Sequence, residues 1–319
     1  MARKISYGLF LGAFVAVILL RLGNALLAGL LSYMILDWSY RRFSKRMGET
    51  VSRVLAISVF LLITTAMCWL LWLFSKLTLT RVPAILNNAM PQIAAFASNY
   101  NIELPFGSFA DLRVWLIHSM TINVRSLTMH SGALTVGLFQ IVIAILVAVM
   151  RFVEGRRTPA KGALDSVRRE FAERIGLFMH GFERVMGAQL AIALLNTALT
   201  AAFLIVMRLP YQRFLILATF FFGMLPVIGN IISNTLIAGT ALMLSPEHAL
   251  FVLLVLAIIH KIEYLINSRV IGSRVDLPTW QILLGILIGN SLLGIPGIVL
   301  APAVITHLRK ELQAIDYSD

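Results

Sequence analysis

The sequence predicts an all-α, polytopic integral membrane protein with two Pro/Gly-broken helical hairpins and amphipathic accessory helices. Three observations carry that expectation. The 319 residues are 59% hydrophobic and only 13% charged, with a mean hydropathy of +0.87, far above the apolar share of a soluble domain. Uncharged runs reach the ~20 residues that a helix needs to cross the hydrocarbon. Two apolar runs, 214–244 and 280–306, are interrupted by proline and glycine: Gly223, Pro226 and Gly229 in FFGMLPVIGN, then Gly294, Pro296 and Gly297 in SLLGIPGIVLAP. In lipid every backbone N–H and C=O must be satisfied internally, so broken helices persist only inside protein or beside a water-filled cavity. A pair of such segments points to a substrate path. Kinked spans with no such role are the plainer alternative.

The elements follow in order. Residues 5–38 exceed one crossing and carry Arg21, Gly23 and Asn24 near their midpoint. Arg3 and Lys4 precede the run, and Arg41, Arg42, Lys45 and Arg46 follow it. Positive charge at both ends places both on the cytoplasmic side, so residues 1–53 read as paired spans with a basic cytoplasmic cluster. Arg21 then falls at the far turn, where its head reaches the interface; a charge lining a pathway is the other reading. No small-residue cleavage site follows the first apolar segment, and the expectation is an uncleaved membrane protein.

Residues 54–150 read as two spans, 54–74 and 133–150, bracketing an extracytoplasmic insertion at 75–131. Cys68, the lone cysteine, is expected to pack as a small hydrophobe within the first span. The insertion is predicted as two amphipathic helices. The second starts at Ser108, with Asp111 in a capping-box position. Phe109, Leu112, Leu116, Met120, Val124 and Leu127 then recur at helical spacing.

Residues 151–186 are predicted as a cytoplasmic amphipathic helix, dense in arginine. Its seam of Leu164, Val167, Phe171, Ile175, Phe178, Phe182 and Val185 leaves Arg168, Arg169, Glu173 and Arg174 to one side. A contact between subunits and a helix lying on the anionic inner leaflet both fit that seam.

Residues 187–319 form the predicted core. After the span 187–207 comes a short outer turn between Arg208 and Arg213. If 214–244 crossed fully, Arg269 and Arg274 would fall outside, against the positive-inside bias. If 214–244 and 280–306 are re-entrant hairpins opening from opposite sides, those arginines and the carboxyl terminus stay cytoplasmic; this arrangement is favoured. On the helix between them His260, Glu263, Tyr264 and Asn267 share a face, since residues three and four apart are neighbours. A carboxylate there is costly and usually faces a cavity or partner. Glu263 is therefore the first candidate for a coupling-ion or proton site, with His260 and Asn267 beside it. An interfacial helix end touching headgroups is the alternative, because Arg269 marks a nearby boundary. The candidate pathway and gate residues are Pro226, Gly229, Asn230 and Asn234 in the first broken run, and Asn290, Gly294, Pro296 and Gly297 in the second.

Other classes are excluded or disfavoured. The net charge of +12 sits in clusters at the ends of apolar runs, which orients helices and leaves no soluble basic face for nucleic acid. There is no HExxH, GxSxG or phosphate-cradling glycine loop, so no catalytic residue, metal site or cofactor is expected and the chain is not read as an enzyme. A secondary transporter, an uncoupled channel and a membrane scaffold remain. The partners implied are a small polar solute, the lipid bilayer and, with coupling, Na+ or H+.

The carboxyl-terminal half resembles the autoinducer-2 exporter family, or PerM-like permeases. The matching elements are Gly187 and Gln189, LPVIGNII at 225–232, Glu263 and Asn267 ahead of Val270-Ile271-Gly272, and Leu277-Pro278. They continue with LLGILIG at 283–289 and Leu293-Gly294-Ile295-Pro296-Gly297, ending in Ala301-Pro302. The amino-terminal half agrees in layout. Asn230 departs from the family where many members carry a second proline, as does Ser268 where they have proline. The resemblance implies an exporter of small polar molecules such as autoinducer-2, or a sodium–proton antiporter, in the bacterial cytoplasmic membrane. It also implies a homo-oligomer, a pentamer, whose hairpins move like an elevator.

Overall fold

The computed structural model describes residues 2–99, 111, 114, 124–154, 163–226, 228–270 and 278–316. Among them every regular element is an α-helix. In chain order these are α1 (Ala2–Leu19), α2 (Gly23–Phe43), α3 (Glu49–Asn99), α4 (Val124–Glu154), α5 (Ala163–Val206), α6 (Gln212–Gly223), α7 (Ile228–Leu242), α8 (Pro246–Val270), α9 (Thr279–Leu293) and α10 (Ile295–Asp316). Three stretches among the described residues are long and apolar enough to cross a bilayer: Glu49–Phe96, Thr135–Glu154 and Asp165–Val206. Their outer faces carry large exposed apolar side chains, such as Leu62, Trp69 and Trp72 on α3 and Leu138, Phe139 and Leu146 on α4. A soluble protein rarely leaves so continuous an apolar surface uncovered. The molecule is an all-α, multi-pass membrane protein.

The first apolar run is divided into two helices: α1 ends at a tight turn before α2. Arg21 occupies that turn at a φ of 53°, and the Leu22 N–H closes it on the Val17 carbonyl at 2.9 Å. Two predicted boundaries do not exist as breaks. Helix α3 runs unbroken for 51 residues, through Pro83 and Pro91, so the span and the first half of the outer insertion are one helix. Helix α5 is likewise continuous for 44 residues. Gly187 inside it costs only about 1 kcal/mol against alanine, too little to end a helix packed along its length. The predicted outer helix starting at Ser108 lies outside the described residues except for Asp111, Val114 and the backbone from Val124 onward.

Packing groups the chain into two units: Met1–Ala66, Ala133–Gly187 and Arg274–Asp319 form one, and Met67–Gly132 with Ala188–Ser273 the other. The first unit holds α1, α2, α9 and α10 with the leading parts of α3 and α5 and α4 from Ala133 onward. Met179, Phe182, Val185 and Met186 of α5 are buried against Leu300 and Ala303 of α10, with Leu27, Leu30 and Met34 of α2 packed on them. The carboxyl-terminal part of the α5 seam is thus core within one chain, whereas Ile175 stays exposed.

The second unit holds the rest of α3, α4 and α5 with α6, α7 and α8. Its core includes Leu204, Phe214, Leu215, Ile237, Ala241 and Val252. The Phe74 ring of α3 stacks on Phe214 at 6.0 Å and meets Phe221 and Phe222 at 5.1 and 5.8 Å. Cys68 departs from expectation: it is exposed, on a helix face that an apolar solvent covers as readily as a core would.

Candidate functional site

In the second unit, α6 stops at Gly223 and α7 begins at Ile228. Pro226 lacks the N–H that would continue the helix. The chain therefore doubles back, with Phe214 and Leu215 near the start of α6 sharing a core with Ile237 and Ala241 near the end of α7. At the tip the two helices touch backbone to backbone. Gly229 is buried, and a Cβ there would overlap the Phe222 carbonyl. Helices of 12 and 15 residues are about 18 and 22 Å long at ~1.5 Å per residue, shorter than the ~30 Å hydrocarbon core.

A break frees backbone groups, and most of those seen here find partners close by. The Gly223 carbonyl accepts a hydrogen bond from the Gln189 side-chain amide of α5 at 2.8 Å. The Ile228 N–H donates to the Pro226 carbonyl at 2.7 Å and the Gly229 N–H to the Leu225 carbonyl at 3.3 Å.

What the break presents is therefore side-chain chemistry. The Asn196 amide of α5 donates to Asn230 Oδ1 at 3.0 Å. Asn230 Nδ2, on the first turn of α7, donates to both carboxylate oxygens of Glu263 on α8, at 3.3 and 3.2 Å. The orientation of this amide follows from its neighbour, because only the NH2 end can donate to a carboxylate. Glu263 is 5% exposed and Asn196 also 5%, so the chain Asn196→Asn230→Glu263 runs through the interior of the unit. Beside Glu263 stands His260, whose side chain is 64% exposed with Nδ1 3.6 Å from Glu263 Oε2. That is too long for a hydrogen bond but an ion-pair distance once the imidazole is protonated.

The first unit contains the other hairpin. Here α9 and α10 meet at Gly294, which has φ +65° and ψ −143°, a region that side chains other than glycine scarcely adopt. Gly289 and Gly297 face each other so closely that a Cβ on either would overlap the other's backbone. Pro296 has no N–H to satisfy, and the Gly297 and Ile298 amides both turn to the Gly294 carbonyl at 2.9 and 3.2 Å. Asn290 is exposed, and its backbone carbonyl accepts the Gly294 N–H at 2.9 Å.

The structure thus brings three of the sequence-derived candidates into one chain: Asn230, Glu263 and His260. Asn234 is half-buried on the next turn of α7, and the Asn267 side chain lies outside the described residues. Two residues that complete the site were not singled out as site residues by sequence, Asn196 and Gln189. They do carry a signal, because polar residues seven apart on an apolar helix share one face, and Thr200, one turn beyond Asn196, is also buried.

The comparisons with known proteins place this multi-pass helical protein in the class of membrane transporters. The sequence profile of the AI-2E family transporters matches residues 5–316, so this chain belongs to the AI-2E transporter family. It is also similar to "Putative transport protein YdbI" of Bacillus subtilis (strain 168), with 28% identity over 188 residues, which are 56% of this chain and 54% of that protein. In that match the chain spans about half the length of the curated relative.

Proposed function

We propose that this protein is a secondary transporter of the bacterial cytoplasmic membrane that exports a small polar solute, an autoinducer-2-like signal or a related metabolite. Export is coupled to an ion, H+ or Na+, bound at Glu263. The observation that carries this reading is the buried Asn196→Asn230→Glu263 chain, which passes through the tip of a broken hairpin at Asn230. Ion binding at Glu263 changes the charge that Asn230 faces. Asn230 sits on the first turn of α7, so the change is felt where the chain doubles back. Uncoupled permeation has no use for a buried carboxylate, which is costly to keep; a channel is therefore the weaker reading. A sodium–proton antiporter is the second reading, favoured by the pairing of one carboxylate with one imidazole.

In this account both hairpins are re-entrant, both termini are cytoplasmic, and the chain acts as a homo-oligomer, a pentamer by resemblance to its family. The gates are Pro226, Gly229, Asn230 and Asn234 in one hairpin and Asn290, Gly294, Pro296 and Gly297 in the other. A cysteine at Ser268 should be labelled only from the cytoplasmic side. The purified protein in proteoliposomes, offered a panel of small polar solutes with and without a proton or sodium gradient, tests the function. Saturable flux that follows a gradient and is lost in Glu263→Gln supports it. Unsaturable current indifferent to the gradient would replace it with a channel.

A further inference from the structure

A second buried ionic cluster lies in the first unit, far along the sequence from the Glu263 chain. Arg174 of α5, read from sequence as lying off the apolar seam, is 5% exposed. Its Nη1 donates to Glu311 Oε2 of α10 at 2.9 Å, and its Nε to Ser6 Oγ of α1 at 3.0 Å. The guanidinium lies 3.3 Å from the centre of the Tyr7 ring. The Tyr7 hydroxyl in turn donates to the same Glu311 Oε2 at 2.8 Å. One carboxylate oxygen therefore takes both strong donors. The other, Oε1, is buried and accepts no hydrogen bond from any described residue. The polar atom facing it is His307 Nε2, one helical turn away at 3.9 Å. His307 is itself 6% exposed, set between the rings of Phe10 and Phe178 at 5.2 and 5.5 Å.

We propose that Glu311 Oε1 and His307 Nε2 form a proton-binding site separate from Glu263, and that protonation there loosens Arg174 from α10. A carboxylate oxygen shut away from water without a donor is a costly acceptor, and a proton placed on it turns that acceptor into a donor toward the imidazole. Neutralising Glu311 removes the charge that holds Arg174. The guanidinium keeps Ser6, the Tyr7 ring and Glu170, whose Oε2 lies 4.0 Å from its Nη2. Helix α10 is the second arm of the glycine-packed hairpin, so the site couples proton uptake to the freedom of that arm. The groups facing Glu311 are Tyr7 from α1, Arg174 with Glu170 behind it from α5, and His307 from α10 itself. Glu173 and Arg309 on neighbouring turns are exposed, and the side chains of Arg3, Lys4 and Lys310 lie outside the described ones.

The inference stands apart from the proposed coupling role of Glu263, and its test removes that residue first. Infrared difference spectra of the full-length Glu263→Gln protein, taken between alkaline and acidic pH, should show a protonated-carboxyl stretch that is missing in Glu263→Gln/Glu311→Gln. Tyr7→Phe, which takes away a donor to the charged carboxylate, should move its appearance to higher pH, and His307→Phe should shift it as well. A band that is the same with and without Glu311, or one whose midpoint neither Tyr7→Phe nor His307→Phe moves, would overturn the proposal. The two single substitutions keep the test open if the double variant fails to fold.

Discussion

The two hairpins solve one problem in different ways. Both double the chain back where proline and glycine stop a helix, yet the α6–α7 tip is held by side-chain amides and the α9–α10 tip by bare backbone. At the first, Gln189 caps a stranded carbonyl and Asn230 ties the turn to a buried carboxylate. At the second, Gly289 and Gly297 lie face to face, and Gly294 alone turns the corner. The first hairpin is thus open to chemistry, since adding or removing one charge alters what holds it. The second responds chiefly to shape, and its nearest ionic contacts lie at the far end of α10.

Four substitutions would break or sharpen that contrast. The largest effect belongs to the shape-held hairpin: Gly297→Leu puts a branched side chain into the Gly289 backbone. It should cost about 3 kcal/mol or more, read as a large fall in melting temperature in detergent. Next comes Asn230→Leu, which strands a buried carboxylate and the Asn196 donor together. It should cost about 2–3 kcal/mol, and a double-mutant cycle with Glu263→Gln should return part of that loss. Gln189→Leu leaves only one carbonyl without its donor. It should cost about 1–2 kcal/mol and leave the gradient dependence of flux in place. Smallest is Cys68→Ser on an exposed face, expected within about 0.5 kcal/mol of the parent in the same melting assay. If Gln189→Leu abolished coupling as completely as Asn230→Leu, the distinction between capping and coupling would fail.

Much of the architecture was legible because a bilayer leaves few choices. Run length and Pro/Gly interruptions gave the division of the first run near Arg21 and both helical hairpins. The continuity of α3 and α5 was not legible, since a polar or charged stretch changes a helix's surroundings without ending the helix. The site was half visible. Glu263, His260 and Asn230 stand out as polar residues in apolar company, whereas the partner of a buried side chain is set by packing across sequence distances that no local pattern encodes. Asn196 finds Asn230 across 34 residues. Arg174 finds Glu311 across 137, which is why an arginine read as lying off the apolar seam is instead buried.

In the proposed coupling, the state of Glu263 controls the α6–α7 tip through Asn230. That control is tested most directly by labelling a Met224→Cys variant, in a Cys68→Ser background, with a water-soluble maleimide across pH. Rates are taken relative to a Gly48→Cys reference, on an exposed turn. The relative rate should change several-fold with pH, and the profile should be flat once Glu263→Gln is added. An identical pH profile in both proteins would contradict it.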